Sequence, residues 1–112
     1  MSTPATARRE ADRLLAEVVE IAADWPLSEE AEQAWRSEAS CAGVDPDLFY
    51  PGRGGDAEPA KAVCRRCPVR SQCLATALLR GEKFGTWGGL TELERRPLRR
   101  RLTVARTTAV AS

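Results

Sequence analysis

The sequence predicts an all-α fold, one small domain of about four to five short helices organised around a four-cysteine site. Three observations predict it. Apolar residues recur at helical spacing with charges between them. Prolines, glycines and cap-forming residues stand where those runs begin and end. No two alternating segments form a convincing strand pair. With 112 residues and only Phe49, Phe84, Tyr50, Trp25, Trp35 and Trp87 aromatic, the core must be modest. A metal site is one way to staple such a core.

The first helix carries Ala11, Leu14, Leu15, Val18, Ile21, Ala22 and Trp25 as its apolar stripe. Thr3 before Pro4 starts it and Pro26 ends it. The stripe reads as ordinary packing; the alternative is a face held out for a partner. Ser28 caps a second helix, where Glu29 and Glu30 complement the dipole and Trp35 follows. Asp45-Pro46-Asp47 reads as a turn and Pro51 to Gly55 as a flexible loop. Pro59 begins a third helix, through Lys61 to Cys64. Pro68 begins a fourth, Val69 to Arg80, with Val69, Cys73, Leu74, Ala77 and Leu78 on one face and Gly81 as its stop. Gly85-Thr86-Trp87-Gly88-Gly89 reads as a tight turn with positive φ values. Thr91-Glu92-Leu93-Glu94 is a capping box that opens the last helix. Pro97 lies too deep for a first-turn proline, so this helix is expected to kink or stop near Arg96.

The net charge of +1 hides a gradient. Residues 1–40 hold four arginines against nine acids, a net of −5. Residues 41–89 come to +2, and residues 90–112 hold six arginines against two acids, a net of +4. An acidic head and a basic tail suit a protein that meets nucleic acid at one end; the plain alternative is a solvated tail. No apolar run approaches the roughly 20 residues that span a bilayer. The N-terminus shows no apolar signal region, so the reducing cytoplasm is the expected compartment.

Cys41, Cys64, Cys67 and Cys73 are spaced C-x22-C-x2-C-x5-C, and the chain contains no histidine. Any metal site is therefore all-sulfur. Zinc ribbons favour two separated CxxC pairs, whereas this chain has one pair, a five-residue step and a lone Cys41. Cys67-Pro68 is the kind of step that ends many cluster-binding runs. The spacing thus favours a 4Fe-4S cluster, with zinc, disulfides or free thiols as the other options. Lys61, Arg65, Arg66 and Arg70 are near enough in sequence to offset a cluster's negative charge.

The cysteine pattern, the glycine–tryptophan–glycine turn and the basic tail, in that order, resemble the WhiB-like family of iron–sulfur transcription regulators. The likeness runs from about Trp35 to Arg101. It extends to Trp35, six residues before the first cysteine, and to the aromatic loop Asp45 to Pro51. The resemblance implies a 4Fe-4S cluster on the four cysteines, sensitive to oxygen and nitric oxide. It implies docking on the C-terminal domain of the principal sigma factor through Trp35, Phe49, Tyr50 and Trp87, and promoter DNA beneath the basic tail. It divides the chain into an N-terminal helical extension (1–34), a cluster-binding domain (35–90) and a basic DNA-contacting segment (91–112). Thr86 stands where the family usually has valine or isoleucine; it is still β-branched, so the turn should survive. Pro97 falls where the family more often has a helix former. No Arg-Gly-Arg-Pro hook is present, so strong A·T-specific minor-groove reading is not expected.

Trp87 between glycines is either a core plug or, with the resemblance, an interface hot spot. Phe49 and Tyr50, on extended backbone, should point opposite ways. Arg95, Arg96, Arg99, Arg100, Arg101 and Arg106 would supply phosphate contacts, which give affinity and salt dependence more than sequence choice. The rival functions are a thiol–disulfide reductase of the metal-free form, using Cys64 and Cys67, and a zinc-stabilised binding module. No thioredoxin-like βαβ pattern surrounds the CxxC, and no small-molecule substrate is indicated.

Overall fold

The computed structural model describes residues 4–52 and 54–111. Its elements are α1 (Pro4–Ala22), α2 (Glu29–Ser37), a 3-10 turn (Pro46–Phe49), α3 (Glu58–Arg65), α4 (Arg70–Arg80) and α5 (Glu92–Ala111). Among the described residues there is no strand, only one isolated antiparallel bridge between Trp87 and Leu90. The all-α expectation holds.

The stripe of α1 faces inward. Leu14, Leu15, Val18 and Ala22 are buried, with Ala11 and Ile21 at their margin. They join Leu74, Ala75 and Leu78 of α4 and Leu98 and Leu102 of α5 in one cluster. The stripe is packing within the chain, not a face held out for a partner. The expected start at Thr3 lies outside the described residues. α-Helical geometry ends at Ala22, before Pro26, because proline disfavours helical backbone in the residue preceding it. The chain tightens first, with the Asp24 N–H donating to the Ile21 carbonyl (3.2 Å) and the Trp25 N–H to that of Ala22 (3.1 Å). Trp25 leaves the stripe and lies under the Arg80 guanidinium, 5.8 Å from its ring centroid.

Ser28 caps α2, its hydroxyl accepting from the Ala31 N–H at 3.1 Å. Glu32 then pairs with Arg36 on its own helix (3.1 Å) and with Arg80 of α4 (2.6 Å), which pins α2 to α4. The Asp45 carboxylate accepts from the Asp47 N–H at 3.0 Å and opens the 3-10 turn. Phe49 closes that turn, so the extended backbone expected at Phe49–Tyr50 is not formed, and the two rings line the same cavity.

Pro59 sits in the first turn of α3. α4 begins at Arg70, just after Pro68 and Val69, and ends where Gly81 turns left-handed at φ +69°. Burial along α4 is not confined to one face but runs unbroken from Leu74 to Leu78. The reason is its central place: α1 and α5 pack on one side and the cysteine cavity lies on the other. The capping box of α5 is reciprocal. The Thr91 N–H donates to Glu94 (2.9 Å) and the Glu94 N–H to the Thr91 hydroxyl (3.4 Å). α5 does not stop at Arg96; it continues through Pro97 to Ala111. Proline removes one bond, to the carbonyl of Leu93. Leu93 lies at the surface, and Leu98 and Leu102 hold the helix on the core. No described helix is long and apolar enough to cross a membrane.

Candidate metal centre

Cys64 lies in the last turn of α3, Cys67 just past its end, Cys73 near the start of α4, and Cys41 on the loop after α2. All four line one cavity of about 370 Å³. Short backbone bonds set this up: the Cys67 N–H donates to the Cys64 carbonyl (3.0 Å) and the Arg70 N–H to that of Cys67 (3.3 Å). The Ser40 N–H donates to the Cys67 sulfur at 3.5 Å, which brings the Cys41 loop to the same place. All four are free thiols; Cys41 is exposed and Cys64 buried.

Burial pushes the Cys73 thiol up to about 12, against the opposing pull of the Gly88 amide. Burial pushes Cys64 up as well, against the Gly89 amide. An attacking thiol in disulfide exchange gains from the opposite shift, so the geometry gives Cys64 no activation of that kind. Thiolates at such positions need a bound cation to hold their charge.

Trp35, Phe49, Tyr50 and Trp87 line the same cavity as the cysteines. Their settings differ. Tyr50 is 52% exposed, whereas Trp35 is 7% exposed, and its buried indole N–H has no partner among the described residues. The Trp87 indole N–H donates to the Phe84 carbonyl at 3.1 Å. The Trp87 and Leu90 backbones bond each other in both directions at 3.0 Å, around Gly88 (φ +59°) and Gly89 (φ +81°). Positive φ at both central positions is what a type I′ turn requires. Gly88 is needed for space too, since a β-carbon there would lie 2.6 Å from the Leu74 β-carbon. Thr86 is buried, and its N–H donates to the Phe49 carbonyl (2.8 Å), which ties the turn to the aromatic loop.

The basic residues separate into roles that spacing did not reveal. Of the four expected countercharges, Lys61 pairs with Glu94 and Arg65 with Glu58, and only Arg70 lines the cavity. The Arg70 Nε donates to the Gly88 carbonyl (2.7 Å), and its Nη1 meets Glu10 (2.7 Å). Arg95 is corrected. It has 0% exposure, and its guanidinium donates to the carbonyls of Gly85, Leu90, Glu82 and Phe84 at 2.7–3.3 Å. A side chain so enclosed offers nothing to a phosphate. Arg99 is half-buried and donates to the Glu82 carbonyl (3.3 Å). Arg96 pairs with Glu92 and Arg101 with Asp12. Arg100 and Arg106 are exposed and have no ion-pair partner among the described residues.

The fold and the site define a class: a small helical protein with an all-thiol centre walled by a glycine–tryptophan turn. The family model described as "Transcription factor WhiB" matches residues 35–98, more than half of the sequence, and the chain belongs to that family of transcriptional regulators. It is 49% identical to the transcriptional regulator WhiB2 of Mycobacterium tuberculosis, over 67% of this chain and 84% of that protein. It is 51% identical to the transcriptional regulator WhiB of Streptomyces coelicolor, over 62% of this chain and 79% of that one. The transcriptional regulator WhiB1 of Mycobacterium tuberculosis is 50% identical over 65% of this chain and 95% of its own length.

Proposed function

We propose that Cys41, Cys64, Cys67 and Cys73 hold a 4Fe-4S cluster, and that this cytoplasmic regulator couples the state of that cluster to transcription. It does so by contacting the C-terminal domain of the principal sigma factor and promoter DNA. The observation that carries the reading is convergence: all four thiols and all four aromatic side chains meet at one cavity. The cavity that the four thiols border, about 370 Å³, has room for an inorganic core between them. The unpartnered indole N–H of Trp35 is a donor that sulfur in the cavity would satisfy. Arg36 and Arg70 also line the cavity, each already paired with a carboxylate, Glu32 and Glu10, so they face the charge of about −2 that four thiolates on a 2+ core leave without fully offsetting it.

The cluster supplies a crosslink that oxygen or nitric oxide can break. The chain's own residues do the rest. As a ligand of that cluster Cys41 would tie the α2 side of the molecule to α3 and α4, at the cavity that Phe49 and Tyr50 also line. Tyr50, exposed, and Phe49 and Trp87, half-buried, form the sigma-facing aromatic contact together with the buried Trp35. Arg96, Arg99, Arg100, Arg101 and Arg106 of α5 lie along the DNA backbone, with Arg100 and Arg106 least engaged elsewhere.

The test is anaerobic purification followed by metal analysis and visible absorption. The expected result is a brown, iron-bearing protein. Cys41→Ala should lose iron, colour and sigma binding together. Zinc in place of iron would select the zinc-stabilised module, and colourless, metal-free protein that binds the sigma domain at full affinity would sink the reading.

A further inference from the structure

Glu10 lies on α1, outside the residues 35–98 that the family model matches. Its carboxylate meets the Arg70 Nη1 at 2.7 Å, and the Arg70 side chain is only 14% exposed. The same guanidinium donates through Nε to the Gly88 carbonyl at 2.7 Å. It also lies close on the turn, since a β-carbon at Gly89 would stand 2.8 Å from the Arg70 Nη2. Gly88 lines the same cavity as Cys64 and Cys73. An unbroken series of contacts therefore runs from α1 to the wall of the cysteine cavity. A planar fork with donors on separate nitrogens can serve a carboxylate and a carbonyl at once; a lysine ammonium is a point charge and does not reproduce that geometry.

We infer that Glu10 is a positioning residue for the cysteine cavity: acting through Arg70, it fixes the Gly88–Gly89 turn against Cys64 and Cys73, so the segment before the family region sets how firmly the cavity keeps what it holds. Besides apolar packing, two other side-chain hydrogen bonds join α1 to the rest of the molecule among the described residues, Ser71 to Glu17 and Arg101 to Asp12. Neither Arg101 nor Ser71 lines the cavity. Asp12 is therefore the right comparison, since it has the same charge, the same helix and its own arginine, but no contact with the turn.

The inference rests on the metal reading for only one of its two measurements. The full chain is purified anaerobically as parent, Glu10→Gln, Arg70→Lys and Asp12→Asn. The first measurement is the rate at which bound metal passes to excess chelator. The second is the alkylation rate of each cysteine by iodoacetamide, mapped by mass spectrometry, with the exposed Cys41 as internal reference. Glu10→Gln and Arg70→Lys should release metal several-fold faster. They should also raise alkylation of Cys64 and Cys73 several-fold relative to Cys41, at unchanged helix content. Asp12→Asn should match the parent in both. If no variant holds metal, the cluster reading fails, and the alkylation pattern still decides this one. Glu10→Gln behaving like Asp12→Asn overturns the inference, as does a uniform rise at all four cysteines, which is the signature of general unfolding.

Discussion

Arg95 and Arg100 belong to the same basic run, yet one is enclosed and the other stands in solvent. Replacing Arg95 by Leu leaves the Gly85 carbonyl without a partner and takes one donor each from the carbonyls of Leu90, Phe84 and Glu82, which keep Trp87 and Arg99. The expected cost is about 1–3 kcal/mol of stability, read by chemical denaturation. Arg100→Ala should change stability by no more than about 0.5 kcal/mol. It should instead weaken promoter binding evenly across sequences and reduce its salt slope by about one unit. The cysteines were legible because three of them fall within two short helices and the turn between them, where local geometry decides who meets whom. Arg95 was not, because a run of arginines looks uniform when read for charge. Its helical phase held the signal: Arg95, Leu98 and Leu102 are three and seven residues apart, on one face of α5.

Among the elements, α5 and α2 carry the clearest expectations. Pro97 interrupts the α5 ladder without ending the helix, so Pro97→Ala should restore a hydrogen bond and raise stability by about 1–3 kcal/mol. Circular dichroism would show little added helix, since the helix already runs through that point. The sequence signal for a stop was sound as local physics, and the packing of Leu98 and Leu102 overrode it. α2 depends on Glu32, whose carboxyl is held below the usual carboxylate range first by the hydrogen bond from Arg36 and further by Arg80. A carboxyl with a lowered folded pKa releases its proton more readily in the folded state. Its stabilising contribution is complete above the ordinary value of 4.5 and is lost as pH falls below it. Tryptophan fluorescence, reporting Trp25 and Trp35, should therefore shift as pH falls below 4.5 in the parent. In Glu32→Gln that shift should be much reduced.

At the scale of the whole molecule, α1 supplies much of the apolar core although the resemblance to known relatives begins only at Trp35. Leu74 is fully buried between α1 and α5, and Leu74→Ala should cost about 2–5 kcal/mol. The core was readable from the period of the α1 stripe, but its partner was not, because periodicity shows that a face is apolar and not what covers it. The cavity was half readable in the same way. Spacing and resemblance named its thiols and rings and counted Arg70 among four nearby charges, whereas the hold of Arg70 on the turn and its pairing with Glu10 entered only through tertiary contact.

The apolar cluster unites α1, α4 and α5, while the Cys41 side is attached mainly by polar links: Glu32 to Arg80, and the Ser40 amide to the Cys67 sulfur. Buried apolar area governs how rarely a region opens, so the two sides should fluctuate at different rates. Deuterium should enter the backbone around Ser40 to Val44 long before it reaches Leu74 to Leu78. A small diffusing molecule would then find its way in by the frequent breathing of the looser half, with the other half never melting.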